Sequence, residues 1–310
     1  MVVMAVGARV RGWQVVSVAI LTVALAVAGC GGGRTDRSAP SSTAAAQAPA
    51  TTSGSGAREV RATVSGRAVV GQCVGPRTDA PTVVLEVGMG ARRDSLLVVE
   101  DHLAKRTQVC SYDRAGKGAS DPAGRPRPVS EVVSDLHAFL AAVNKPPYVL
   151  VGHSFGAEVV FLYAQAHPDQ VAGFVAINPG PPYQTWLKRA RTIESEAEIQ
   201  EFELPFPKGN NAEGINLSTS ESMLTDPLPA DLPYVVMFDA VCEDLPPPLQ
   251  NPKDCARYLR LLAATDQELA KVGQAGRFVW ARGGGHNLQV TQPEAVLATV
   301  DQVWKAAAGR

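Results

Sequence analysis

One short stretch constrains the fold of this chain more than any other. Residues 148–168 read YVLVGHSFGAEVVFLYAQAHP, four mainly apolar residues leading through Gly152-His153-Ser154-Phe155-Gly156 into a helical pattern. A plain strand-to-helix connection takes any polar cap. Glycines at both Gly152 and Gly156 mean instead that side chains there would collide with neighbouring segments. A G-x-S-x-G turn between a strand and a helix forces its serine into a strained backbone conformation. The hydroxyl is then exposed above the C-terminal edge of a sheet, at the start of a helix.

The surrounding pattern supplies that sheet. Strands are expected at 60–72, 82–87, 107–112, 148–151, 171–177, 234–238 and 277–281. Helices are expected after Gly90 to about 105, and at 129–143, 154–166, 252–272 and 293–307. Short apolar runs alternating with longer helical patterns mean βαβ units and a largely parallel, doubly wound sheet. Residues 181 to about 230 break the rhythm. A charged helix at 186–202 and a polar, glycine-containing loop there read as an inserted helical cap.

The chain has 310 residues, 45% hydrophobic and 19% charged, with a formal net charge of −1. No basic stripe interrupts it, which argues against a nucleic-acid partner. Arg9 and Arg11 precede an apolar run at 15–28 that is short for a membrane span. The run ends in Val27-Ala28-Gly29-Cys30 and resembles a bacterial lipoprotein signal. That resemblance implies a signal peptide at 1–29, cleavage before Cys30, a diacylglycerol on its sulfur, and a protein anchored to the outer face of the cell membrane. Residues 30–57 are small and polar and read as a disordered tether, with the folded domain at 58–310.

Five cysteines in an exported chain leave one to explain. With Cys30 acylated, the other four form two regional pairs, and disulfides Cys73–Cys110 and Cys242–Cys255 are expected in an oxidising compartment. No C-x-x-C or His/Cys cluster suggests a metal, and no cofactor is expected.

A nucleophilic serine needs a base. His102 and His137 fall within helical patterns, His153 lies inside the turn itself, and His167 ends a helix before Pro168. His286 follows a strand and Gly283-Gly284-Gly285, in a loop before the helix that opens at Pro293. A glycine loop at a strand's C-terminal end can carry an imidazole to the serine hydroxyl.

With these residues in view, the chain resembles an α/β-hydrolase over essentially all of 60–310. The matching pieces are VVLEVGMG, CSYDRAGKGASD, YVLVGHSFGAE, AHPDQVAGFVAINP and GGGHNLQVTQPE. The resemblance implies a Ser154–His286–acid triad and an oxyanion hole made by the backbone N–H groups of Met89 and Phe155. It also makes Asp113 and Asp121 loop-holding residues. For the acid, Asp239, Glu243 and Asp244 after the strand at 234–238 all qualify, and Glu243 is favoured. The alternative position after the strand at 171–177 holds Asn178.

The implied activity is hydrolysis of small-molecule or lipid carboxylic esters through an acyl-enzyme, as in a carboxylesterase or lipase. A peptidase of the proline-iminopeptidase kind is the second reading, kept open by the acidic segment 194–203, ESEAEIQEFE. A non-catalytic surface binding protein on a hydrolase scaffold is the third. Tyr183, Trp186, Phe202 and Phe206 either line an acyl pocket or pack the cap onto the core.

Overall fold

A computed structural model describes residues 56–124, 126–192, 209, 211–217, 221–245 and 250–309. The signal segment, Cys30, nearly all of the tether, and the acidic stretch 194–203 with Phe202 and Phe206 lie outside the described residues.

Eight strands form the main sheet: β1 (Arg58–Val64), β2 (Arg67–Val74), β3 (Thr82–Glu86), β4 (Val109–Asp113), β6 (Tyr148–His153), β7 (Val171–Ile177), β9 (Tyr234–Phe238) and β10 (Gly276–Trp280). Two short strands, β5 (Arg127–Pro128) and β8 (Ile215–Asn216), pair separately. The order across the main sheet is β1-β2-β4-β3-β6-β7-β9-β10, antiparallel at β1/β2 and β2/β4 and parallel elsewhere. This is the α/β-hydrolase fold that the resemblance implies. The single early strand expected at 60–72 is instead a hairpin. Ser65 and Gly66 both take positive φ, 49° and 79°, which turns the chain back on itself.

The helices follow from apolar spacing and end signals. They are α1 (Leu97–Leu103), α2 (Val129–Val143), α3 (Phe155–Ala166), α4 (Tyr183–Ala190), α5 (Pro252–Leu269), α6 (Leu288–Thr291) and α7 (Pro293–Ala308). Helix α2 stops at Asn144, which adopts the left-handed conformation. Helix α5 starts where the Asn251 side chain accepts the Asp254 N–H, with Pro252 at its first position. The helix expected at 186–202 is seen as α4; residues 193–202 lie outside the described residues.

The central strands are buried from end to end, as a sheet covered on both faces requires. Alternate residues serve opposite layers. Leu150, Ala176 and Val236 join α2 and α3 in one core, while Val151, Val175 and Val235 join α1 and α7 in the other. A third, smaller core packs Trp186, Leu187 and Ala190 of α4 against Cys255 and Tyr258 of α5, with Leu245 beside them. Helix α5 thereby belongs to the cover over the sheet edge as well as to the βα alternation.

Strand β3 sits between β4 and β6, so the chain runs outward to β4 and then crosses back to β6. In open α/β sheets such a reversal leaves a crevice at the C-terminal strand ends, where ligands bind. Ser154 follows the last residue of β6, at that crevice.

Candidate active site

Ser154 has φ 54° and ψ −125°, a conformation that costs of order 1–3 kcal/mol and persists only where the surroundings impose it. Here they do. A Cβ on Gly152 would stand 2.4 Å from the Gly156 carbonyl oxygen, and one on Gly156 would stand 2.2 Å from that of Glu86. The backbone of β3 thus presses directly on the turn. The Ser154 N–H is anchored to the Ile177 carbonyl of β7 at 2.8 Å, and the Ser154 carbonyl accepts the Ala157 N–H at 2.9 Å.

The loop after β3 approaches from the other side. A Cβ on Gly88 would meet His153 Nδ1 at 3.1 Å and Ser154 Cβ at 3.4 Å. Among the described residues nothing accepts the amide of Met89 or of Phe155. Behind this loop lies a feature that sequence reasoning missed. Arg114, 1% exposed, donates to the carbonyls of Val87 and Gly88 and to the carboxylates of Glu86 and Glu213. Glu213 also accepts the Gly90 N–H at 2.6 Å, so one cation ties the loop to the cover segment. Burial pushes the Glu213 carboxyl up, but the Arg114 hydrogen bonds and charge outweigh it and hold it below its usual range. Glu86 goes the other way: burial raises it further than Arg114 lowers it.

His286 Nε2 lies 3.0 Å from Ser154 Oγ, a hydrogen bond between the two residues singled out from the sequence. The glycine loop that delivers it needs its glycines, because Gly283 and Gly285 have φ of 87° and 70°. Its backbone is clamped from both sides. The His286 carbonyl accepts from Asn178 Nδ2 at 2.9 Å and from His153 Nε2 at 3.0 Å, while its N–H donates to Asp244 Oδ2 at 2.9 Å. A carbonyl can only accept, so His153 carries its proton on Nε2. Burial lowers the His153 pKa to about 4, which keeps that ring neutral. His286 is exposed as a residue, yet its ring sits against the crevice wall. That partial loss of solvent lowers its pKa, and the Asp244 charge pulls it partly back up.

The three candidate acids separate clearly. Asp239 is buried and accepts the N–H groups of Gly284 and Gly285 and the indole N–H of Trp280, so it holds the glycine loop. Asp244 contacts the His286 amide and supplies the negative charge felt by its ring. Glu243, favoured from the sequence, stands apart from the histidine loop. It is exposed and makes no hydrogen bond to His286 among the described residues, because the short 3-10 turn Cys242–Asp244 directs Asp244 to the histidine loop. Asn178 stays a backbone clamp, donating to Gly285 and His286 carbonyls and accepting the Asp239 N–H.

Both expected disulfides are present. Cys73 and Cys110 face each other across β2 and β4, and Cys242–Cys255 ties the Asp244 turn to the first turns of α5. Asp113 and Asp121 hold loops: Asp113 lies 3.7 Å from Arg93, and Asp121 accepts the Ala68 N–H. The remaining histidines are structural: His102 bonds Asp301, and His137 stacks on His167.

A strained serine, an imidazole on its hydroxyl and two neighbouring backbone amides without an acceptor among the described residues form an arrangement suited to acyl transfer. Comparison with known proteins finds hydrolases. The family model for the alpha/beta hydrolase fold matches residues 81–203. A putative carbamate hydrolase, RutD, from Escherichia coli O157:H7 is 34% identical over 33% of this chain and 39% of its own length. The chain thus spans about two fifths of that relative. An AB hydrolase superfamily protein from Gibberella zeae is 26% identical over 74% of this chain and 88% of its own. Among solved structures, the enol-lactonase from Burkholderia xenovorans LB400 superposes with a TM-score of 0.55 at 17% identity, covering 79% of this chain and 99% of that one. The chain has the α/β-hydrolase fold, and the family match over residues 81–203 agrees with it.

Proposed function

We propose that the protein is a serine hydrolase of carboxylic esters, with Ser154 as nucleophile and His286 as general base. The observation that carries this reading is the 3.0 Å contact between His286 Nε2 and the hydroxyl of a strained Ser154. The Ser154 proton passes to His286 Nε2 as Oγ bonds the acyl carbon. The carbonyl oxygen, now negative, meets the Met89 and Phe155 amides and the N-terminus of α3. As the C–O bond breaks, the leaving alcohol takes the proton from His286. Water then attacks the acyl-enzyme by the same route and releases the acid. Asp244 stabilises the imidazolium by its charge. A lowered His286 pKa favours this task, since the base is uncharged at neutral pH.

An ester substrate is supported by the lactone named for the Burkholderia structure, a cyclic ester, and by the acyl chemistry of the crevice. The test is hydrolysis of p-nitrophenyl esters of graded chain length. Ser154→Ala is expected to lose about 10⁴-fold or more in kcat. Equal rates for the two proteins on every ester would end the esterase reading.

The proposed site of action is the outer face of the cell membrane, through a lipid on Cys30. Labelled fatty acid should enter the wild-type chain and not Cys30→Ala; labelling of both would rule out that anchor.

A further inference from the structure

A cavity of about 590 Å³ opens beside His286, between the sheet edge and the cover formed by α4 and α5. Its lining includes four carboxylates, those of Glu158, Asp239, Asp244 and Asp266, and no lysine or arginine among the described residues. Asp239 and Asp244 have their work in the histidine loop. Asp266 has none. It is 2% exposed, and among the described residues no hydrogen bond or ion pair offsets its burial.

Three further features give this carboxyl group a ligand chemistry. It lies in the last turn of α5, where the helix carbonyls already make the local potential negative. The same cavity has aromatic and apolar walls: Trp186, whose indole N–H donates to the Tyr258 hydroxyl, Tyr183 and Leu262. Ring faces carry negative quadrupole charge and attract ammonium groups, the more so when water is excluded. Burial alone holds the Asp266 carboxyl far above the usual carboxylate range. A cavity built only for an acyl tail has no use for a buried acid, which costs several kcal/mol to ionise there.

We infer that this cavity is a specificity pocket for an ammonium group on the substrate, held by Asp266 against the rings of Trp186 and Tyr258. The inference rests on the ester-hydrolase reading for the chemistry at Ser154, but the binding it describes stands apart from turnover. Two sources share this chemistry: a primary amine, such as a free amino terminus, and a quaternary ammonium carried on an alcohol.

Calorimetric titration of the wild-type protein with n-butylammonium, tetramethylammonium and n-butanol tests it without catalysis. At least one cation should bind tenfold or more tightly than butanol, and Asp266→Asn should abolish that margin. A preference for butylammonium indicates a primary amine, and one for tetramethylammonium a quaternary group. Cations binding no better than butanol overturn the pocket, with or without a folded variant, as does a margin that survives Asp266→Asn. A second readout is the kcat/KM ratio of p-nitrophenyl 6-aminohexanoate to p-nitrophenyl heptanoate, expected to fall at least tenfold in the variant. Cation binding without turnover of either ester would remove the ester reading and leave the pocket standing.

Discussion

The serine and histidine sides of the crevice are held by different kinds of contact. On the serine side backbone presses on backbone: Gly156 lies against the Glu86 and Val87 carbonyls, Gly152 lies against Gly156 and Ala157, and Ser154 is bonded to β7. On the histidine side, side chains grip backbone from a distance. Asp239, Asp244, Asn178 and His153 come from three separate segments and all end on the loop 284–286. The first arrangement leaves no room for change at any one position. The second is distributed, so the loss of one clamp leaves others in place. Geometry that must be fixed to a few tenths of an ångström is built from glycine and strand, and the tunable part from side chains.

The sharpest way to break this contrast is Gly156→Ala. The new methyl would meet the backbone oxygens of Glu86 and Val87 at the end of β3, neither of which can rotate away, so the turn itself must move. Ester hydrolysis is expected to fall by at least about 10³-fold, since small misplacement near the chemistry is already costly. Stability should fall by about 3 kcal/mol or more, read from denaturant midpoints. Near wild-type activity would show that the serine side is as forgiving as the histidine side.

Next in size is Arg114→Met. It strips Glu86 and Glu213 of their cation inside the protein, takes the Arg114 donor from the Val87 carbonyl and leaves the Gly88 carbonyl with only the Ala91 N–H. Removing one partner of a buried pair typically costs about 3–5 kcal/mol. Adding Glu86→Gln and Glu213→Gln should recover part of the stability but not the loop position, so activity should stay low. Full recovery of activity in the triple variant would mean that Arg114 merely neutralises charge.

How much of this was legible in the sequence follows the same division. Contacts enforced by local chain geometry leave local marks: the glycines around Ser154, the alternating strands and helices, and Pro293 at a helix start are all visible in short windows. The Ser65-Gly66 turn is a mark of that kind too, though it falls within the one early strand expected at 60–72. The side-chain clamps leave none. Nothing near Arg114 announces that Glu86 and Glu213, 28 and 99 residues away, will meet it in the core. The one signal was a cation between buried strand β4 and a glycine turn. The acid is hard to read for a similar reason. Its position depends on a three-residue 3-10 turn fixed by the Cys242–Cys255 link, and one residue of rotation there exchanges Glu243 for Asp244.

That exchange gives the smallest and most discriminating prediction. Asp244 acts on His286 through its charge and through the backbone amide, so Asp244→Asn keeps the shape and removes the charge. Loss of a buried triad aspartate that bonds the imidazole directly costs about 10⁴-fold in kcat. The looser coupling here should cost roughly 10- to 100-fold by the same reasoning. The pH profile carries the sign. His286 must be neutral to act, and its pKa already lies below the ordinary 6.5, so the acid limb of kcat/KM should fall below that value. Asp244 raises that pKa, so its removal should move the limb further toward acid even as the plateau drops. Glu243→Gln should change neither plateau nor limb by more than about twofold, as expected for a surface residue away from the reacting groups. If Glu243→Gln shifts the limb and Asp244→Asn does not, the turn is rotated during catalysis, and the histidine side is held by something other than the contacts of the resting protein.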